Sequence, residues 1–449
     1  MKNNILCLLI LLLLASCGNE NSQQEVENTN KRDFKEEIDH YLSELEDDDS
    51  FMGSLAISKN GKSIYSGSIG YRDLNKELKA NTNTIYRIAS ITKSFTATLV
   101  FKAIEANKIK LNQSIDRFFP TLKNADKITI KHLLHHQSGI KSYTKSDYFW
   151  NNRTTAQSAE DLLKAIHEME IEFKAGKNTK YSNSNYFLLA RIVEQVFDNT
   201  YEKLLQEHII VPLNLKSTSI GKKIQSSNNE SLSYTLENDQ WVEFPETNLS
   251  IAKGAGSLVS TPADLNVFFR SLLTGKLISS ESLKSMKTIE KNHGMGIFRF
   301  DLLDQTGFGH GGNIDGFNAR SIYFKDLDLA ISLVSNASRI NINEVYSRIL
   351  ELYLGVPEVE ISASMLKNYE GTYVYDQDST DTSVFEIEGD KLILIIAGEY
   401  REELTYKGNR RFLFSQMSGP SISFTFSEDG SNLFFEQANV KRNYIKKRK

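Results

Sequence analysis

The stretch Tyr86-Arg87-Ile88-Ala89-Ser90-Ile91-Thr92-Lys93 decides how this chain is read. Tyr86-Arg87-Ile88 is a short extended run. Ile91, Phe95, Leu99 and Ala103, joined by Val100 and Ile104, then repeat at helical spacing, so Ser90 is predicted to open a long buried helix. Residues three apart on a helix are neighbours, which sets the Ser90 hydroxyl beside the Lys93 amine. A serine hydroxyl is a weak nucleophile until a base takes its proton, and lysine serves as that base only with its pKa lowered. A helix N-terminus also presents free N–H groups and positive potential, which favour the oxyanion formed by attack on a carbonyl. Ser-x-x-Lys recurs at Ser138, Ser142, Ser219, Ser250 and Ser364, but without this setting. Gly139 weakens a helix after Ser138, and Ser142 and Ser219 lie in polar irregular stretches. Ser250 runs into Gly254-Ala255-Gly256, and Ser364 sits near a domain boundary.

The flanking sequence predicts an α+β domain. Phe34, Ile38, Leu42 and Leu45 mark a first helix. Ser54-Leu55-Ala56-Ile57 and Ser63-Ile64-Tyr65 flank Asn60-Gly61, a hairpin signal in which both turn residues take positive φ. Tyr186, Leu189, Ile192, Val193 and Val196 form another helical stripe, which places Tyr181-Ser182-Asn183 in a loop entering that helix. Thr261-Pro262 reads as a helix N-cap followed by a first-turn proline. Ala319 to Phe324 and Leu329 to Val334 read as strands. Strands at both ends of a helical block imply an antiparallel sheet uniting distant parts of the chain, flanked by helices and a helical subdomain. Val356-Pro357 marks a boundary. Beyond Leu366, Ile422, Phe424 and Phe426 alternate with Ser423 and Thr425, and turns recur at Gly389-Asp390, Gly408-Asn409 and Asp429-Gly430. Residues 360–449 are therefore predicted to form a small antiparallel β-domain, a barrel or meander, with its phenylalanines as core.

Of 449 residues, 40% are hydrophobic and 24% charged, as in globular proteins. The formal charge of −4 argues against a nucleic-acid partner. The basic end from Lys441 to Lys449 reads as a solvated tail. Lys2 followed by the apolar run Ile5 to Ala15 reads as a signal segment, too short to span a bilayer. Leu14-Ala15-Ser16-Cys17 resembles the bacterial lipobox, which implies removal of residues 1–16 and a lipid on Cys17. The protein is thus expected at the bacterial cell envelope, facing the periplasm or the surface and reaching the membrane through that lipid. Residues 17–32 are polar and read as a flexible tether spanning roughly 20 Å. Cys7 and Cys17 are the chain's two cysteines, so the part from residue 33 onward has neither disulfide nor catalytic thiol.

Three pieces occur in order: Ser90-x-x-Lys93, Tyr181-x-Asn183 and His310-Gly311-Gly312. Around them stand His132-Leu133-Leu134-His135-His136-Gln137-Ser138-Gly139 and Gly254-Ala255-Gly256-Ser257-Leu258-Val259-Ser260-Thr261. Over residues 34–355 this series resembles the serine β-lactamase and penicillin-binding superfamily. It is most like the branch of class C-like enzymes, D-aminopeptidases, D-alanyl-D-alanine carboxypeptidases and esterases. The resemblance implies a hydrolase domain over residues 33–355 that needs no metal or cofactor and takes a small-molecule, short peptide or ester substrate.

It also implies roles. Ser90 would be the acyl-accepting nucleophile and Lys93 would help take its proton. Tyr181 would share that proton and return it to the leaving group, its pKa lowered by a cationic Lys93. Asn183 would hold Lys93 and a substrate amide. His310, Gly311 and Gly312 would line the sheet edge facing the serine, with the N–H groups of Ser90 and Asn313 as oxyanion donors. Where β-lactamases carry a lysine and a hydroxyl residue to hold the substrate carboxylate, this chain has His310 and Gly311. A mostly neutral histidine anchors an anion weakly, so peptidase or esterase action is expected over strong β-lactam hydrolysis. His132, His135 and His136 lack the spacing and glutamate of common zinc-hydrolase motifs. The alternative reading is a non-catalytic ligand-binding or penicillin-sensing envelope protein of the same fold.

Overall fold

The computed structural model describes residues 33–357, 359–396, 400–414, 422–437 and 440–447. The signal segment, the Cys17 lipid site and the tether lie outside these residues. A six-stranded antiparallel sheet joins two parts of the chain: Phe51–Lys59 and Lys62–Ile69 from one end, and Phe298–Leu302, Gln305–Ile314, Phe317–Phe324 and Leu329–Ser338 from the other. The seam between them is antiparallel pairing of Phe51–Lys59 with Leu329–Ser338. The Asn60-Gly61 hairpin forms as expected, with φ of 52° and 72°.

Helices cover both faces of the sheet. Phe34–Asp47 and Ile342–Leu354 pack on one side, where Ile38, Leu42, Val345 and Ile349 meet Leu55, Ile57, Ile331 and Leu333. Pro262–Leu273 packs on the other, capped by Thr261 Oγ1 accepting from the Asp264 N–H. Beyond it lies the helical subdomain around Thr92–Glu105 and Asn183–Phe197, both with largely buried surfaces. This cover on both faces explains why the strand Phe51–Lys59 is buried without a break from Phe51 to Ile57.

Strands from Gly371–Tyr375 through Val440–Lys446 close into an eight-stranded antiparallel barrel. Its interior is filled by Tyr373, Phe385, Phe412, Phe424, Phe426, Leu433 and Tyr444, so the expected phenylalanine pattern is core. Closure removes the unpaired edges that an open sheet of this size would carry. The basic end is a correction to the sequence reading. Lys441, Arg442 and Lys446 belong to the closing strand, which pairs with Asn432–Gln437, while Tyr444 points inward. Alternation, rather than charge, is the informative pattern there. Among the described residues, no helix is long and apolar enough to cross a membrane.

Candidate active site

Ser90 sits one turn earlier than a simple helix start. Ala89–Ile91 is a 3-10 turn feeding the helix Thr92–Glu105. Ala89 has φ +46°, a left-handed conformation that costs an alanine about 1–2 kcal/mol. Such strain is held where surrounding structure over-determines it, often beside a reacting group. Here the residues on both sides are tied down. Ile88 N–H donates to Leu258 O at 3.1 Å, and Leu258 N–H donates to Thr92 Oγ1 at 3.1 Å.

Lys93 is fully buried, and its Nζ lies 3.0 Å from Ser90 Oγ. The same nitrogen donates to Ala255 O at 2.7 Å. Burial pushes the amine well below its usual range, and no carboxylate partners it among the described residues. A neutral amine donating to Ala255 O has its lone pair free for the Ser90 proton. Tyr181 is half-buried, with its ring 4.8 Å from Lys93 Nζ. Burial raises its hydroxyl, and the Ser90 hydroxyl beside it pulls the other way without reversing the shift. Burial therefore acts on both groups in the direction opposite to the expected cationic Lys93 and lowered Tyr181. Both groups favour their neutral forms, because neither has a countercharge to offset desolvation.

The Gly-rich strand Gln305–Ile314 forms the facing wall. A Cβ built on Gly312 would lie 2.2 Å from Ile88 O and 3.0 Å from Ser90 N. Glycine is therefore what lets this strand reach the nucleophile's backbone, next to Asn313. Gly311 is different: an added Cβ would meet the guanidinium of Arg320 at 3.3 Å, on the opposite side of the strand. His310 is buried, and its Nδ1 donates to Gly311 O at 2.5 Å. Burial pushes His310 down to about 3, so it is a neutral polar group at neutral pH.

Asn183 is placed beside the cleft, but its Nδ2 donates to Thr144 Oγ1 at 2.9 Å. The expected bond to Lys93 is not among those of the described residues; the Ala255 carbonyl holds the amine instead. Asn313 is exposed, and its side chain donates to Asn318 Oδ1 at 2.7 Å. The three imidazoles of the His132–Gly139 segment go to separate partners. His132 Nδ1 accepts from the Thr129 N–H, His135 Nδ1 contacts His293 O, and His136 Nδ1 accepts from the Ser182 N–H.

The sequence profile of the family described as β-lactamase matches residues 39–348, the span that carries all of these groups. The chain belongs to the β-lactamase family. Over 323 residues it is 26% identical to a putative penicillin-binding protein, PbpX, of Bacillus subtilis, covering 71% of this chain and 78% of that one. Over 338 residues it is 28% identical to a teichoic acid D-alanine hydrolase of Staphylococcus aureus, covering 73% and 80%. An octameric penicillin-binding protein homologue from Pyrococcus abyssi superposes with a TM-score of 0.66 at 22% identity, over 92% of this chain and 99% of that one. That likeness in fold takes in the barrel as well as the β-lactamase domain.

Two features of this candidate site escaped the sequence reading. Ala255 acts through a backbone carbonyl, which leaves no side-chain signature. Arg87 and Asp315 form a buried ion pair at 2.9 Å, linking the run before Ser90 to the turn after Asn313. In the sequence Arg87 stands out only as part of a motif, and Asp315 carries no local signal.

Proposed function

We propose that the chain is a serine hydrolase that cleaves ester or amide bonds through an acyl-enzyme on Ser90. The observation that carries this reading is the buried, carboxylate-free Lys93 amine 3.0 Å from the Ser90 hydroxyl. Ser90 Oγ attacks the substrate carbonyl carbon as its proton passes to Lys93 Nζ. The N–H groups of Ser90 and Asn313 hold the resulting oxyanion. A proton moves through the Tyr181 hydroxyl to the departing alcohol or amine, the C–O or C–N bond breaks, and the acyl group stays on Ser90. Water then attacks the ester, its proton returns to the same relay, and the acid leaves with Ser90 regenerated. One oxyanion donor of this kind typically contributes a hundredfold or more in rate.

Neutral His310 beside Gly311 supports an ester or amide substrate over one gripped by its carboxylate. The name of the Staphylococcus aureus relative supports D-alanyl esters as the first class to try. A panel of a D-alanyl ester, a D-amino-acid amide and a chromogenic β-lactam tests the reading. Turnover of the ester or amide that is lost in Ser90→Ala supports it, and equal turnover by wild type and Ser90→Ala overturns it. Lipid attachment at Cys17 belongs to the same proposal and rests on the sequence. It predicts that Cys17→Ser moves the protein from the detergent phase to the aqueous phase on partitioning.

A further inference from the structure

His136 brackets Tyr181. Its backbone carbonyl accepts from the Lys180 N–H at 2.9 Å, and its Nδ1 accepts from the Ser182 N–H at 3.1 Å. Its ring lies against the Tyr181 ring, with centroids 4.3 Å apart. One residue thus holds the peptide on each side of Tyr181 and one face of the phenol between them. A nitrogen that accepts an N–H carries no proton itself, so the imidazole is the Nε2–H tautomer.

The backbone at His136 makes this use of the side chain more telling. The helix Ile130–Leu134 ends with His136 N–H on Leu133 O at 3.3 Å and Gln137 N–H on His132 O at 2.8 Å. Those two bonds define a Schellman ending, in which the residue at the position of His136 is left-handed and usually glycine. His136 has φ +56°. Nothing in the helix ending itself calls for a histidine there, since glycine satisfies the same bonds without a Cβ penalty. The side chain is 3% exposed, so it also gives up its hydration to sit there. Its Nδ1 hydrogen bond and its closest ring contact both go to the segment that presents Tyr181.

We infer that His136 is a positioning residue for Tyr181, fixing through Nδ1 and its ring face where the phenol stands relative to Ser90. The inference rests on the reading of Tyr181 as proton carrier to the leaving group. It predicts that losing the Nδ1 acceptor lowers the rate of chemistry and leaves binding alone, because His136 is 3% exposed and its ring packs on that of Tyr181.

The test is steady-state hydrolysis of D-alanine p-nitroanilide, whose aniline must be protonated to leave, by wild type, Ser90→Ala, His136→Asn, His136→Gly and His136→Leu, with melting temperatures measured in parallel. Asparagine tolerates the left-handed backbone and offers Oδ1 near the place of Nδ1. Glycine relaxes the backbone and offers no acceptor. The expected result is kcat at least about thirtyfold lower in the Gly and Leu variants, KM within about threefold, and recovery to within about fivefold in Asn. If the Leu variant fails to fold, the Gly and Asn pair decides. Gly with kcat within twofold of wild type overturns the inference, as does Asn falling as far as Gly or misfolding of all three. Ser90-dependent turnover in the same assay keeps such a result separate from the reading of the site. Equal rates in wild type and Ser90→Ala would overturn that reading and this inference with it.

Discussion

Arg87 Nη1 donates to Asp315 Oδ2 at 2.9 Å, with both side chains 1% exposed, and so ties the approach to Ser90 to the turn that follows Asn313. Thr247 Oγ1 donates to the other Asp315 oxygen at 2.6 Å, and Arg153 Nη1 reaches the same oxygen at 3.3 Å. The two backbone N–H groups of the proposed oxyanion hole come from segments this cluster joins. Removing one partner of a buried pair typically costs about 3–5 kcal/mol where the remaining charge is uncompensated, and because Glu246 also pairs with Arg87 the cost here falls at the low end, about 3 kcal/mol. Asp315→Ala is therefore expected to lower unfolding stability by about that amount in a denaturant titration. A loss under about 1 kcal/mol would mean that the cluster is not structural.

The two adjacent glycines are expected to differ. At Gly312 a methyl group would run into Ile88 O and Ser90 N, which are backbone and cannot move without moving the nucleophile. At Gly311 it would meet the end of the Arg320 side chain at 3.3 Å. Gly312→Ala should reduce kcat/KM at least about a hundredfold, on the scale of a lost oxyanion donor, and Gly311→Ala less than about tenfold. The reverse order in a kinetic comparison would contradict the placement of the strand.

Lys93 makes a prediction about stability as well as rate. Its amine is held well below the value it has in an unfolded chain. Between those two values the unfolded state binds the extra proton, so this group's contribution to stability rises with pH. Lys93→Met removes the base and should cut kcat about a hundredfold or more. It should also be more stable than wild type at neutral pH, with the advantage shrinking as pH approaches about 10.4. Denaturant titrations at pH 7 and pH 10 check this; an advantage that grows with pH would contradict it.

Glu344 gives the opposite sign. Burial in the groove between the helix Ile342–Leu354 and the barrel pushes its carboxyl up to about 7, with Glu403 adding to the shift. Its raised value means the protonated form suits the fold. The associated stability is full below the unfolded value near 4.5 and is lost as pH rises through about 7. Glu344→Gln should flatten the melting temperature between pH 4.5 and 7 and raise it above pH 7. Identical pH dependence in both proteins would rule out a role for this carboxyl.

The parts legible in the sequence were those encoded locally. Asn60-Gly61 sets a turn from two residues, Thr261-Pro262 starts a helix from two, and Ser90 and Lys93 meet because one helical turn brings them together. The α+β architecture followed from where such local signals fell along the chain. What could not be read depends on contacts between distant segments. Ala255 reaches Lys93, and Asp315 reaches Arg87, only after the sheet has closed. Asn183 turned to Thr144 instead of Lys93 because the loop before its helix lies against residues 142–144. The basic end misled because a run of like charge carries a period-two pattern equally well.

Acylation of Ser90 is the claim on which the rest depends, and intact-mass analysis after exposure to a fluorophosphonate probe tests it most directly. One adduct on the wild-type protein, absent from Ser90→Ala and slowed in Lys93→Met, is the predicted result. An unmodified wild type in the presence of demonstrably reactive probe, or an adduct that persists in Ser90→Ala, would contradict the account.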